Sequence, residues 1–251
     1  MLVGGSASAL GKDTHQAASS VACMPSTVKV PDLMYHMIEV LPKDAALPHL
    51  WVDPSEFRQT MKLLAEKGWR TLAPRQIAWR VKNCIPIPAK TFSITIDDGV
   101  RNGYDKAYPS LQEFGFKAAY AVVVGRIDKF KRAMTWVMLE ELQAAGHEIA
   151  NHTMHHDDVR AEDDEGLYYE IEESNQILWD RLGKRPRTFV YPYGYWDSEA
   201  VAQIRASGFW VAYTTAYGCT VSKGSMLTEQ RIRVNRSDSP KSVLRKVQAC
   251  Q

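Results

Sequence analysis

No two cysteines stand in a Cys-x-x-Cys pair, although the 251-residue chain holds four: Cys23, Cys84, Cys219 and Cys250. That absence argues against a cysteine zinc site. An even count allows two disulfides, but no spacing selects among the pairings, so the redox compartment stays open. There is no run of about 18 apolar residues, the length that would mark a membrane span. Nor does one sign of charge dominate. Lys+Arg 31 against Asp+Glu 29 leaves a formal +2, which excludes a nucleic-acid protein driven by bulk charge. The stretch MLVGGSASALGKDTHQAASS lacks a basic leader segment and is only weakly apolar, so it does not read as a signal peptide. Internal repeats and low-complexity runs are absent too. No glycine-rich phosphate loop follows an early strand, which weakens a nucleotide-binding reading.

What is there supports a full core. Hydrophobic residues make up 45% of the chain, and seven Trp and eleven Tyr suit both packing and stacking on sugar rings. Residues 1–28, rich in Ser, Ala and Gly, read as an irregular lead-in, with one domain over 29–251. From there strand-like and helix-like segments alternate. VPDLMYH reads as a strand ending at His36. DPSEFRQTMKLLAEKGW reads as a helix opened by Pro54 and Ser55 and closed at Gly68. TFSITI, KAAYAVVV, HEIAN, RTFVYPYG, FWVAYTT and RIRVN read as further strands, separated by helices of which DEGLYYEIEESNQILWDRLG is the longest. Regular βα alternation implies parallel strands. The expected fold is α/β, a distorted or incomplete (β/α) barrel of about seven parallel strands.

In such barrels chemistry sits at the C-terminal ends of the strands. His36 follows DLMY, Asp97 and Asp98 follow FSITI, and Asn151, His152, His155 and His156 follow HEIA. Pro192, Tyr193 and Gly194 follow TFVY, and Asn235 and Arg236 follow RIRV. A solvated Asp-Gly turn would explain Asp97–Gly99 alone. Two histidines four apart at a neighbouring strand end point instead to a metal. Two imidazoles and one carboxylate make an open site. The adjacent aspartates can then divide the work, one binding metal and the other taking a proton from water, which is metal-assisted hydrolysis.

These residues resemble a known family. TIDDG resembles the Asp-Asp signature of the polysaccharide deacetylases, the NodB-homology or fourth carbohydrate esterase family. HTMHH and FVYPYG resemble its metal and third motifs, in the family's order. VPDLMYH with WVDPSEFRQTMKLLAEKGWRTL resembles more narrowly the poly-N-acetylglucosamine deacetylases of biofilm matrices, which look circularly permuted, so that a histidine arrives early. The resemblance implies Asp97 as general base and Asp98, His152 and His156 as metal ligands. It implies His36 as general acid and the Tyr193 N–H as oxyanion donor. His155 and His147 receive no role. The family arginine that orients the base is absent at Val190; Arg231, Arg233 or Arg236 could replace it.

The implied activity is metal-dependent hydrolytic N-deacetylation of N-acetylhexosamine units in an extracellular polysaccharide, poly-N-acetylglucosamine first. Zn2+ is the default ion on ligand type, and Ni2+, Co2+ or Fe2+ would also fit. The alternatives are a chitin- or peptidoglycan-type deacetylase, a carbohydrate-binding pseudoenzyme, or a small-molecule amidohydrolase with a closed pocket. A monomer, secreted, periplasmic or at the cell surface, is expected. Tyr193, Tyr195 and Trp196 are candidates to pave a sugar subsite.

Overall fold

The computed structural model describes residues 1–2 and 27–250. Most of the expected lead-in, with Cys23, lies outside the described residues, and Thr27 and Val28 already belong to strand β1 (Thr27–Lys29). Next come β2 (Asp32–Tyr35), β3 (Met37–Ile38), β4 (Trp51–Val52), α1 (Pro54–Glu66), β5 (Arg70–Thr71), α2 (Pro74–Lys82) and β6 (Thr91–Ile96). They are followed by α3 (Tyr108–Glu113), β7 (Ala119–Val122), α4 (Trp136–Ala144), β8 (Glu148–Asn151), α5 (Asp164–Leu167), α6 (Ser174–Leu182), β9 (Thr188–Val190) and α7 (Ser198–Ala206). The described order finishes with β10 (Val211–Tyr217), β11 (Thr220–Ser222), β12 (Glu229–Arg233) and α8 (Pro240–Gln248).

Seven parallel strands close into a ring, in the order β2-β12-β10-β9-β8-β7-β6, and β2 pairs with β6 to shut it. The barrel is therefore complete. It is distorted: the β10–β12 register shifts between Tyr213 and Tyr217. Strand β5 lies outside the ring, on the lower part of the β6 edge whose upper part takes β7. Two pairings are not apparent in the periodicity of the chain. Strands β3 and β4 make a two-residue ladder, and β1 pairs antiparallel with β11. Each is too short to carry an alternation signal.

Period-two alternation explains what lies inside. Phe92, Ile94 and Ile96 of β6 turn outward and join Leu33, Tyr35, Phe57, Met61 and Leu111 in the main core beneath the helices. The intervening Ser93, Thr95 and Asp97 turn inward, where Ser93 and Thr95 both donate to Asp32 of β2, at 2.5 and 2.7 Å. Small residues, Ala119, Ala121 and Ala150, fill the interior beside Val190 and Tyr213. Helix α2 covers the N-terminal mouth. Its Ala78 joins that inner cluster, and the Arg75 N–H donates to buried Glu148 at 3.2 Å.

Local signals set the helix ends. The Asp53 side chain accepts from the Ser55 N–H at 2.8 Å with Pro54 as the first helical residue, so α1 starts where expected. The long helix read over the DEGLYYEIEESNQILWDRLG stretch runs as α5, a π-helical segment Tyr168–Glu173, and α6, stopped at Gly183 with φ 69°.

Cys84 is disulfide-bonded, and a second disulfide joins Cys219 to Cys250, 31 positions apart, tying α8 to the β10–β11 turn. A cross-link over a loop of that length stabilises by about 3–4 kcal/mol through the unfolded chain. Replacing Cys219 and Cys250 together by Ala should lower the urea midpoint accordingly; an unchanged midpoint would show that α8 is held by packing alone.

Candidate active site

The Asp-Asp-Gly stretch is not a solvated turn. Asp97 is 2% exposed. Asp98 adopts a left-handed φ of 72°, and Gly99 follows at 62°. A Cβ at Gly99 would lie 3.1 Å from Val122 Cα, so the close approach of β7 adds to the backbone demand for glycine. The left-handed step sends the two carboxylates different ways, Asp97 into the barrel mouth and Asp98 across to the loop after β8.

Asp97 is held by Arg231 of β12. The guanidinium Nη1 lies 2.9 Å from the carboxylate, and also donates to Thr95 Oγ1 at 3.0 Å, while Nε donates to the Thr214 carbonyl at 2.9 Å. Arg231 is fully buried. Burial works against ionisation of Asp97, yet Arg231, His36 and His152 outweigh it and hold the carboxyl below the usual range. Of the three arginines the sequence offered, Arg231 contacts Asp97. Arg236 instead lines a separate hollow with Asp53 and Glu56.

Asp98 Oδ1 lies 3.5 Å from His152 Nε2 and 3.4 Å from His156 Nε2. The three ligand-type atoms lie within 4.8 Å of one another. Burial opposes ionisation of Asp98, but the two histidines pull its value well below normal. His152 Nδ1 lies 2.7 Å from the Val190 carbonyl oxygen. A carbonyl only accepts, so Nδ1 carries a proton there and the ring turns its Nε2 toward Asp98.

His36 Nε2 lies 3.8 Å from Asp97 Oδ2. Burial lowers its pKa, with Asp97 and Asp98 opposing. Tyr193 is left-handed at φ 59°, ψ −4°, and its carbonyl accepts from Thr215 Oγ1 at 3.1 Å. Its ring stands edge-on to His156 at 4.8 Å. Tyr195 and Trp196 are about half exposed nearby in the chain, and the Tyr195 ring carries the Arg160 guanidinium 4.0 Å from its centre. Beside His36 and Asp98 opens a pocket of about 440 Å³, walled by Met37, Leu47, Leu50, Trp51 and Arg132.

The two remaining histidines of interest lie apart from these. His155 turns away to Glu170. His147 sits at the start of β8, where its Nδ1 accepts the Ala118 N–H at 3.1 Å. Two interior residues were not singled out from the sequence, Thr95 and Asp32. Thr95 links Arg231 to Asp32, and burial pushes the Asp32 carboxyl up to about 6, against the pull of Arg231, Ser93 and Thr95. The polar alternation Ser93, Thr95, Asp97 was the available signal.

A sequence model of the polysaccharide deacetylases matches residues 85–212, just over half of the chain. The chain belongs to the polysaccharide deacetylase family. Relatives of this deacetylase extend the match beyond those residues. YxkH of Bacillus subtilis (strain 168) is 27% identical over 207 residues, 82% of this chain and 72% of YxkH. The poly-beta-1,6-N-acetyl-D-glucosamine N-deacetylase of Escherichia coli (strain K12) is 22% identical over 66% of this chain, which spans 31% of that protein. Among solved structures, the Streptococcus pyogenes deacetylase PplD in complex with acetate superposes with a TM-score of 0.82 at 25% identity, covering 88% of this chain and 98% of PplD.

Asp32 gives the deacetylase a pH signature. Its folded pKa, about 6, exceeds the unfolded value of 3.8. The folded state thus holds this proton more tightly. The resulting stabilisation is full below about pH 4 and is lost as pH rises through about 6, worth up to about 3 kcal/mol at about 1.4 kcal/mol per unit. The unfolding free energy of the wild type minus that of Asp32→Asn should fall across that window. A constant difference would contradict the assignment.

Proposed function

We propose that this chain is a metal-dependent N-deacetylase of N-acetylhexosamine units in an extracellular polysaccharide, poly-N-acetylglucosamine being the first candidate, and that residues 29–251 act as one domain and as a monomer. The observation that carries the metal reading is the Asp98, His152 and His156 set. Asp98 Oδ1 faces His152 Nε2 at 3.5 Å and His156 Nε2 at 3.4 Å. Two electron-rich atoms repel at that range unless a proton or a cation lies between them. Ligands bonded to one tetrahedral ion at about 2.0–2.1 Å lie about 3.3 Å apart, so the donor set fits a divalent ion, Zn2+ by default. Bound there, the ion would supply Lewis acidity and a lowered pKa for water.

The chain's own groups supply the rest. Asp97, kept ionised by Arg231, takes a proton from the attacking water. The Tyr193 N–H donates to the oxygen on which charge develops as the acetyl carbon becomes tetrahedral. His36 delivers a proton to the departing amine nitrogen. The pocket beside His36 and Asp98, about 440 Å³, has the volume to hold a sugar unit. The name of the Escherichia coli relative supports the choice of polymer. The Cys219–Cys250 disulfide supports export to an oxidising compartment, as the substrate requires.

Mass spectrometry of N-acetylglucosamine oligomers of graded length, after incubation with metal-loaded protein, tests the reaction and its polymer preference together. Acetyl mass should be lost, more so from longer chains; intact oligomers at every length would refute the activity. Asp97→Asn should keep its ion while turnover falls about a hundredfold or more, whereas Asp98→Asn should lose the ion. Equal metal loss in both would refute the division between them. His36→Ala should slow amide cleavage far more than cleavage of an activated ester, whose leaving group needs little protonation. Equal slowing would leave His36 a positioning role.

A further inference from the structure

The loop Asn151–His156, which presents two of the three ligand residues, bends against the preferences of its own residues. Thr153 and His156 both take left-handed φ, 65° and 74°. L residues rarely adopt that conformation, so the loop must be held from outside. One side is held by backbone. The N–H groups of Val124 and Gly125 donate to the carbonyls of Thr153 and Met154, at 3.0 and 2.8 Å. The loop also closes on itself, Thr153 N–H to Asn151 Oδ1 at 2.7 Å and His156 N–H to Thr153 Oγ1 at 2.9 Å.

The other side is held by Glu170. This carboxylate is 3% exposed, and its two oxygens accept from the same residue, the His155 N–H at 2.9 Å and His155 Nδ1 at 2.7 Å. Ser174 completes the brace. Its hydroxyl donates to the Glu170 carbonyl at 2.6 Å and accepts from Asn151 Nδ2 at 2.8 Å, at the root of the loop. Glu170 belongs to the π-helical segment Tyr168–Glu173, a wider winding that recurs at functional sites.

We propose that Glu170 is a positioning residue for the metal centre: by clamping His155 at both of its N–H groups, it fixes the loop on which His152 and His156 converge with Asp98. The inference rests on the metal reading of that trio. The rival use of Glu170 is as a ligand itself, because ligand-type atoms of His155, Asp157 and Glu170 also lie within 4.8 Å of one another. The clamp is favoured because both Glu170 oxygens already receive N–H donors.

The test is Zn2+ affinity of apo-protein by competition with a chromophoric chelator, together with the number of ions per chain. Removing a partner bonded directly to a ligating residue lowers metal affinity by about ten- to a hundredfold; Glu170 acts one residue further out, through His155, so a loss toward the tenfold end is expected for Glu170→Ala. Glu170→Gln, which keeps the size and one acceptor, should fall between that variant and wild type. Met61→Ala, a buried substitution in α1, should lower the melting temperature and leave affinity unchanged, which separates positioning from general destabilisation. Wild-type affinity in both Glu170 variants would overturn the clamp while leaving the parent reading intact. Two ions in the wild type falling to one in Glu170→Ala would overturn it by making Glu170 a ligand. A wild type that takes up no ion would overturn the parent reading and this inference with it.

Discussion

A single guanidinium inside the barrel holds the site together. Arg231 is fully buried, and its charge is matched by Asp97 at 2.9 Å while its other contacts reach β6 through Thr95 and β10 through the Thr214 carbonyl. Taking such a pair out of water is expensive, and well-packed apolar residues would often serve stability as well or better. The pair is intelligible as chemistry. It keeps a carboxylate ionised where burial alone would protonate it, and it does so at the strand ends, where a substrate can reach. The same cation faces a second buried carboxyl, Asp32, which it fails to keep low. One positive charge thus splits two interior acids, one ionised at the mouth and one largely protonated at about pH 5 below it.

Backbone strain gathers at the same rim. Of the eight non-glycine residues at positive φ among the described residues, Asp98, Thr153, His156 and Tyr193 belong to the site. Each such residue costs about 1–3 kcal/mol and persists only where its surroundings over-determine it. Here the surroundings are specific: β7 against Gly99, Glu170 and the β7 end against the His152 loop, and Thr215 against Tyr193. The barrel supplies rigid strand ends, and the strained residues turn side chains from three of them toward one volume.

Much of this could be read from the chain because parallel strands leave strong marks. TFSITI, KAAYAVVV and HEIAN are long enough and apolar enough to be seen, and the groups just beyond them fall at one rim by topology alone. The ring closure through β2 and β6 was not legible, since periodicity says where strands are and not which are neighbours. The choice of Arg231 over Arg233 and Arg236 was equally hidden. Alternation puts Arg231 and Arg233 on the same face of β12, so the strand pattern could not separate them; depth does, with Arg231 fully buried against Asp97 and Arg233 only half-buried nearer the strand end. Glu170 left no mark in the sequence at all. It reads as one acid among several on a helix, and only the π-helical winding and the fold of the His155 loop show that its carboxylate is buried and bonded.

The account stands on adjacent aspartates doing different things, Asp98 toward the histidines and Asp97 toward Arg231. Anomalous diffraction at the zinc edge from metal-loaded crystals measures this directly. The predicted result is one peak at bonding distance from Asp98 Oδ1, His152 Nε2 and His156 Nε2, with the Asp97 carboxylate still on Arg231. A peak bridging Asp97 and Asp98, or none at this trio in fully loaded protein, would contradict it.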